Sequence, residues 1–257
     1  GLYSGDVAGS TGLTDLVGSG TGRFRYNTSI DSSGVVAAGY TTTLATDVIN
    51  ALYREQPTVT IKAVNDSIVY GELAPTAYTA GFDGRLNGDG EDAFVGTVGW
   101  TTVANGLSGT GLLIATDPQD AATLHEIQID ITGVSSGLGY AIVDDTNAGL
   151  TVTPKELTIT GLTSRSKVYD GTTTALVLGT GEMAGFVDLA SGTSVDGLAI
   201  TGDEVSIRAR ALNRADDIKG EFDAKDVLAA TKVVFTDILV GADAANYTYG
   251  VEDTTVE

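Results

Sequence analysis

Two acidic clusters hold the residues best suited to chemistry. Asn87-Gly88-Asp89-Gly90-Glu91-Asp92 gathers three acids around two glycines, and Asp216-Asp217 stands just upstream of Glu221-Phe222-Asp223 and Asp226. Ca²⁺ takes about six to eight oxygens, often from Asp side chains and loop carbonyls. Asp89, Glu91, Asp92, Asp216, Asp217 and Asp223 are therefore the candidate Ca²⁺ ligands. The sequence requires no other cofactor. Neither cluster has the EF-hand spacing or that of an RTX nonapeptide, and solvated turns account for both equally well.

Other catalytic constellations are harder to assemble. The single histidine, His125, could serve a hydrolase triad. It opens a strand-like run, Leu124-His125-Glu126, and no nucleophile-elbow motif accompanies it. A packed or solvent-facing histidine explains it better. A glycosidase needs two facing carboxylates. The acids concentrate in turns, and Trp100 is the one tryptophan that could act as a sugar platform. The Gly-rich opening, Gly9-Ser10-Thr11-Gly12 and Gly18-Ser19-Gly20-Thr21-Gly22, lacks the Gly-Lys-Ser/Thr ending of a phosphate loop. We expect no enzyme.

Composition supports that expectation. The 257 residues include no Cys, which removes disulfides, thiolate metal sites and cysteine nucleophiles. Acidic residues number 34 against 14 Lys plus Arg, for a net charge of -20. Such a chain should be repelled by nucleic acid and anionic membranes. No apolar run reaches the roughly 18 residues that span a bilayer. No signal peptide opens the chain, so a secretion signal is expected outside this segment.

The elements that must position these residues are strands. Alternation with a period of two recurs in Thr58-Val59-Thr60-Ile61-Lys62, in Glu126-Ile127-Gln128-Ile129-Asp130-Ile131 and in Leu157-Thr158-Ile159-Thr160. Turn signals separate the runs: Asn87-Gly88, Asp170-Gly171 and Thr201-Gly202-Asp203. Two short helices are also expected. One places Leu44, Val48, Ile49 and Leu52 on a single face, and the other starts at Asp117-Pro118.

The chain is self-similar. A strand leading to a Tyr-Gly turn occurs at Ile68-Val69-Tyr70-Gly71 and at Lys167-Val168-Tyr169-Asp170-Gly171. A Gly-Asp turn follows at Leu86-Asn87-Gly88-Asp89 and at Ile200-Thr201-Gly202-Asp203, with another at Gly5-Asp6. A Tyr-bearing strand then appears at Tyr40, Tyr140 and Tyr247. Residues 58–154 and 155–257 hold the full order, whereas 1–57 hold its second half. The fold expected is mostly β, with tandem small β-sandwich-like repeat domains arranged as a rod and little helix. The short junction through Pro154 favours a stiff joint. The half-repeat should be completed by an upstream segment or by another molecule. Tyr70, Tyr140, Tyr169 and Tyr247 are expected to be buried, with their hydroxyls near the rim.

At these residues the chain resembles a known group. Lys167-Val168-Tyr169-Asp170-Gly171, Thr201-Gly202-Asp203-Glu204-Val205, Gly220-Glu221-Phe222-Asp223 and Gly241-Ala242-Asp243-Ala244-Ala245-Asn246-Tyr247 together resemble a YDG domain. Residues 58–154 resemble the sister MBG domain through Val69-Tyr70-Gly71-Glu72-Leu73-Ala74-Pro75, Phe82-Asp83-Gly84-Arg85-Leu86-Asn87-Gly88-Asp89 and Leu150-Thr151-Val152-Thr153-Pro154. Tandem MBG and YDG repeats are typical of filamentous-haemagglutinin-like bacterial adhesins exported by two-partner secretion. The resemblance implies an extracellular stalk on the bacterial cell surface, serving cell adhesion in biofilms. It implies no catalytic residues. Its implied partners are other copies of itself or matrix exopolysaccharide, and an outer-membrane secretion partner engaged through other regions, without nucleic acid or membrane insertion. The alternatives are a glycan-binding β-module and a self-assembling matrix fibre subunit.

Overall fold

Val59, Ile61 and Ala63 alternate with Thr60 and Lys62 along strand Thr58–Ala63, and that alternation puts the three apolar side chains on one buried face. The strand lies parallel to Ala141–Asp145 and antiparallel to Ala80–Asp83. A computed structural model describes residues 2–3, 13–20, 22–30, 32–33, 36–104, 107–109, 124–145, 148–188, 196–209 and 217–254. The chain is mostly β, as its alternation predicts. Helix among the described residues is limited to Leu13–Val17 and the single 3-10 turns Glu91–Ala93 and Ala244–Asn246.

The chain forms two compact units. The first comprises Gly1–Asp66, Pro75–Thr110 and His125–Leu150. Besides the sheet around Thr58–Ala63, it contains parallel pairings of Ala51–Tyr53 with Leu2–Tyr3 and with Phe24–Arg25. It also contains an antiparallel sheet in which Gly99–Ala104 pairs with Leu107–Gly109 and with Leu124–Asp130, with Trp100 opposite Ile129. Its core is strongly aromatic. Rings follow one another from Phe24 to Tyr53 (6.3 Å), Tyr53 to Tyr26 (5.6 Å), Tyr26 to Tyr140 (4.5 Å) and Tyr140 to Phe94 (5.7 Å). Each such ring brings a large apolar area out of water.

The second unit comprises Ser67–Ala74, Gly111–Leu124 and Thr151–Glu257. Its main sheet is an antiparallel run of five strands: Thr163–Arg165, Thr174–Leu178, Lys219–Phe222, Val233–Thr236 and Glu252–Asp253. Ala175, Val177, Val233 and Phe235 point inward from it. Short pairs complete the unit, among them Lys155–Leu157 parallel to Tyr247–Tyr249 and Phe186–Val187 parallel to Ala199–Ile200.

Two expectations are corrected. Residues 13–57 do not form a unit divided from 58–154: Phe24, Tyr26 and Tyr53 share one core with Val59, Ile61 and Tyr140. A piece that short cannot cover its own sheet face, and here its own chain covers it. One change of unit falls between Leu150 and Thr151. No helix joins Leu44 to Leu52. Asp47 sits at φ 62, Val48 and Ile49 are exposed, and the Asn50 amide donates to Ala45 O at 2.8 Å, so residues 41–50 form turns ahead of strand Ala51–Tyr53. The helix expected at Asp117 and the Gly9–Gly12 loop lie outside the described residues.

Candidate functional site

Each unit contains an aspartate clamped by two tyrosines, Asp89 buried and Asp203 half-buried. In the first unit, Leu86-Asn87-Gly88-Asp89 makes a tight turn in which Asp89 N–H donates to Leu86 O at 2.9 Å. Asn87 and Gly88 have φ values of 52 and 75, and Gly88 meets this left-handed turn without a Cβ penalty. The turn aims Asp89 into the aromatic core. There Asp89 Oδ2 accepts the hydroxyl of Tyr26 at 2.9 Å and that of Tyr140 at 2.7 Å. Asn87 Nδ2 donates to the Tyr26 hydroxyl at 3.0 Å, and Leu86 N–H donates to the Tyr140 hydroxyl at 3.0 Å.

The second unit repeats the arrangement. In Ile200-Thr201-Gly202-Asp203 the Asp203 N–H donates to Ile200 O at 3.2 Å, and Gly202 has φ 107. Asp203 Oδ2 accepts the hydroxyl of Tyr70 at 3.0 Å and that of Tyr247 at 2.5 Å. Ile200 N–H donates to the Tyr247 hydroxyl at 2.8 Å, as Leu86 does to Tyr140. Asn246 bonds the Tyr70 hydroxyl, taking the part of Asn87. Tyr70 N–H and Thr153 Oγ1 fasten the 67–74 segment to Thr153 O (2.8 Å) and Ile68 O (3.0 Å).

Electrostatics follow from burial. Desolvation pushes the Asp89 and Asp203 carboxyls above their ordinary range, and the tyrosine hydroxyls only partly offset it. Desolvation likewise pushes Tyr26, Tyr140, Tyr70 and Tyr247 well above the ordinary phenol range. All four phenols therefore keep their protons at neutral pH and act as donors. Two donors on one carboxylate oxygen make a strong fixed contact. They do not make a proton relay, because neither phenol can give up its proton near neutral pH.

Beside Asp89 lies a hollow of about 180 Å³ whose lining includes Arg25, Thr42, Asp89 and Asp92. Asp89 Oδ1 has no hydrogen-bond partner among the described residues. Arg25 is itself buried. Its guanidinium donates to Gly22 O, to Phe24 O at 2.8 Å and to Thr43 O at 3.1 Å, and it stacks 5.6 Å from the Tyr40 ring centre. A cation in this hollow would meet the fixed positive charge of Arg25.

The candidate Ca²⁺ ligands do not converge. Asp89 faces the tyrosines, while Glu91 and Asp92 are exposed on the 3-10 turn that follows. Asp217 accepts from Ile218 N–H at 2.9 Å. Asp223 folds its own loop by accepting from Thr231 N–H at 2.8 Å and from the Thr231 hydroxyl at 2.6 Å. Asp216 lies outside the described residues. No group of three or more His, Asp or Glu side chains is placed to share a metal among the described residues. His125 is buried in strand Leu124–Asp130, and its Nε2 has no hydrogen-bond partner among the described residues.

Tyr169 departs from expectation. Tyr70, Tyr140 and Tyr247 are buried as expected, but Tyr169 is 58% exposed. The Tyr140 hydroxyl lies inside on buried Asp89, whereas those of Tyr70 and Tyr247 meet half-buried Asp203. Sequence reasoning missed Tyr26 and the pairing of Asp203 with Tyr70 and Tyr247. The available signal was the recurrence of Leu-Asn-Gly-Asp as Ile-Thr-Gly-Asp, since a turn needed only for chain reversal does not require the same acid each time.

Comparison with known proteins gives one match. The YDG domain family matches residues 153–256. No curated protein and no solved structure matches the chain significantly. The four ordered motifs and the Asp203 clamp lie in or feed the matched segment, and residues 153–256 form a YDG-type domain.

Proposed function

We propose that the chain is a stretch of structural extender repeats from a secreted bacterial surface adhesin, serving adhesion in biofilms. The observation that carries this reading is the tyrosine–aspartate–tyrosine clamp, built the same way in both units. A carboxylate held by two phenols and a tight turn organises a core. The MBG resemblance of residues 58–154 and the YDG match of 153–256 support a filamentous-haemagglutinin-like setting with two-partner secretion. The net charge of -20 would keep neighbouring fibres apart outside the cell. Other copies or matrix exopolysaccharide are the partners.

Small-angle scattering tests the spacer role. An extender gives a radius of gyration clearly above the roughly 18 Å of a compact chain of this length. A compact particle overturns it. A second reading, a glycan-binding module, rests on exposed Tyr169 lining one hollow with Phe222 and Lys167. Binding on an oligosaccharide array that is lost in Tyr169→Ala would favour it.

A further inference from the structure

Tyr70 and Tyr169 sit in the same local motif and meet different fates. Ile68-Val69-Tyr70-Gly71 and Lys167-Val168-Tyr169-Asp170-Gly171 both turn on a left-handed glycine, with φ 87 at Gly71 and φ 76 at Gly171. Tyr70 is 0% exposed and bonds Asp203. Tyr169 is 58% exposed and its neighbour Val168 90%.

The difference follows from what covers them. Tyr70 belongs to the repeat 58–154 by sequence, yet segment Ser67–Ala74 is part of the second unit, while the stretches on either side of it belong to the first. Its ring completes the clamp of the following repeat, against Tyr247 at 5.5 Å. Tyr26 does the same one repeat earlier: it comes from residues 1–57 and completes the clamp at Asp89. Each of the two described Gly-Asp turns thus takes one tyrosine from later in its own repeat, Tyr140 or Tyr247, and one from the preceding repeat. Tyr169 is the corresponding tyrosine of the YDG-type domain, and both described sockets are already filled.

We propose that the Tyr169 loop is a plug for the Gly-Asp socket of a further domain of this type. Its hydroxyl would bond the socket aspartate and its ring would pack on the socket tyrosine. The loop is ordered in advance. Asp170 Oδ1 accepts from Lys167 Nζ at 2.9 Å, Thr172 N–H at 2.9 Å and the Thr172 hydroxyl at 2.8 Å, and Lys167 lies 5.7 Å from the Phe222 ring centre. Docking therefore orders little new backbone. Val168, Tyr169, Val227 and Leu228 together present exposed apolar surface, and a hollow of about 150 Å³ lies between Tyr169, Phe222 and Val227. Apolar surface of this kind marks an interface. The inference does not depend on the adhesin setting.

The test extends the full chain with a second copy of residues 154–257 joined to Glu257, so that Thr255-Val256-Glu257-Pro repeats the pattern Thr151-Val152-Thr153-Pro154. 3-Fluorotyrosine is placed at position 169, and its access to a paramagnetic quencher is read by fluorine NMR. Accessibility should fall from the 58% exposure of the parent chain toward the 0% of Tyr70. It should return when Asp203→Ala is made in the added copy alone. Tyr169→Phe should lower the melting point of the added domain and leave the parent chain unchanged. Position 169 staying accessible in the extended chain overturns the proposal, whether or not the added domain folds. Protection by added oligosaccharide in the parent chain also overturns it and assigns the loop to glycan.

Discussion

Asp203 occupies in the second unit the chemical position that Asp89 occupies in the first. Each is the last residue of an apolar-x-Gly-Asp turn, each donates its N–H to the residue three before it, and each accepts two tyrosine hydroxyls on Oδ2. The parallel makes the clamps comparable by mutation and by titration.

The chain should unfold in alkali. The four clamp tyrosines have folded pKa values above the unfolded value near 10. Below about pH 10 both states are protonated and their contribution is complete; above it only the unfolded state releases protons. Stability then falls by about 1.4 kcal/mol per pH unit per tyrosine, or about 2.7 kcal/mol per pH unit for the two in each unit. Urea midpoints measured from pH 9 to 12 should show at least this slope, with buried Tyr78 adding to it in the first unit, and Tyr140→Phe should reduce it there. A flat profile would contradict the buried clamps.

Mild acid should stabilise the chain. Asp89 and Asp203 also have raised folded values, so their contribution is fully present below the unfolded value near 3.9 and is lost as pH rises through the folded one. Relief of the net charge acts in the same direction. Melting points should rise from pH 7 toward about 4, and Asp203→Asn should flatten the rise in the second unit.

Asp89→Ala and Asp203→Ala should each destabilise their own unit by about 3 kcal/mol. Two hydrogen bonds to a charged group are lost, and relief of carboxylate desolvation returns part of their value. Hydrogen exchange resolved by segment checks the assignment: Asp203→Ala should speed exchange at Tyr247–Tyr249 and leave Thr58–Ala63 unchanged.

Tyr70→Ala and Tyr169→Ala should separate sharply. Removing buried Tyr70 costs about 3–5 kcal/mol by analogy with core aromatic truncations. Removing exposed Tyr169 should change denaturation midpoints of this chain by less than about 0.5 kcal/mol. Equal losses would place Tyr169 in a core.

Asp170 should titrate low, at about 2, held down by Lys167 first and then by the Thr172 N–H and hydroxyl. Its folded value is depressed, so what it contributes to loop order is present above the unfolded value and is lost as pH falls toward 2. Carboxyl NMR reads it directly, and Lys167→Ala should move the midpoint back toward 3.9.

The sequence by itself determined the class, the repeat and the turns. Val59 and Ile61 alternate with polar neighbours, so a strand with one buried face follows from spacing alone. Gly88 and Gly202 mark turns because the backbone there needs positive φ. Such signals are local and survive in a linear reading. The clamps are not local: Tyr26 and Tyr140 lie 63 and 51 residues from Asp89, and Tyr70 lies 133 from Asp203. Only the tertiary structure decided that Asp89, expected in a solvated turn, is buried, that residues 13–57 join the next repeat's core, and that Tyr70 is covered while Tyr169 is not. Related motifs part company there because burial depends on what packs over a side chain, and packing is set by long-range topology that local residue types do not encode.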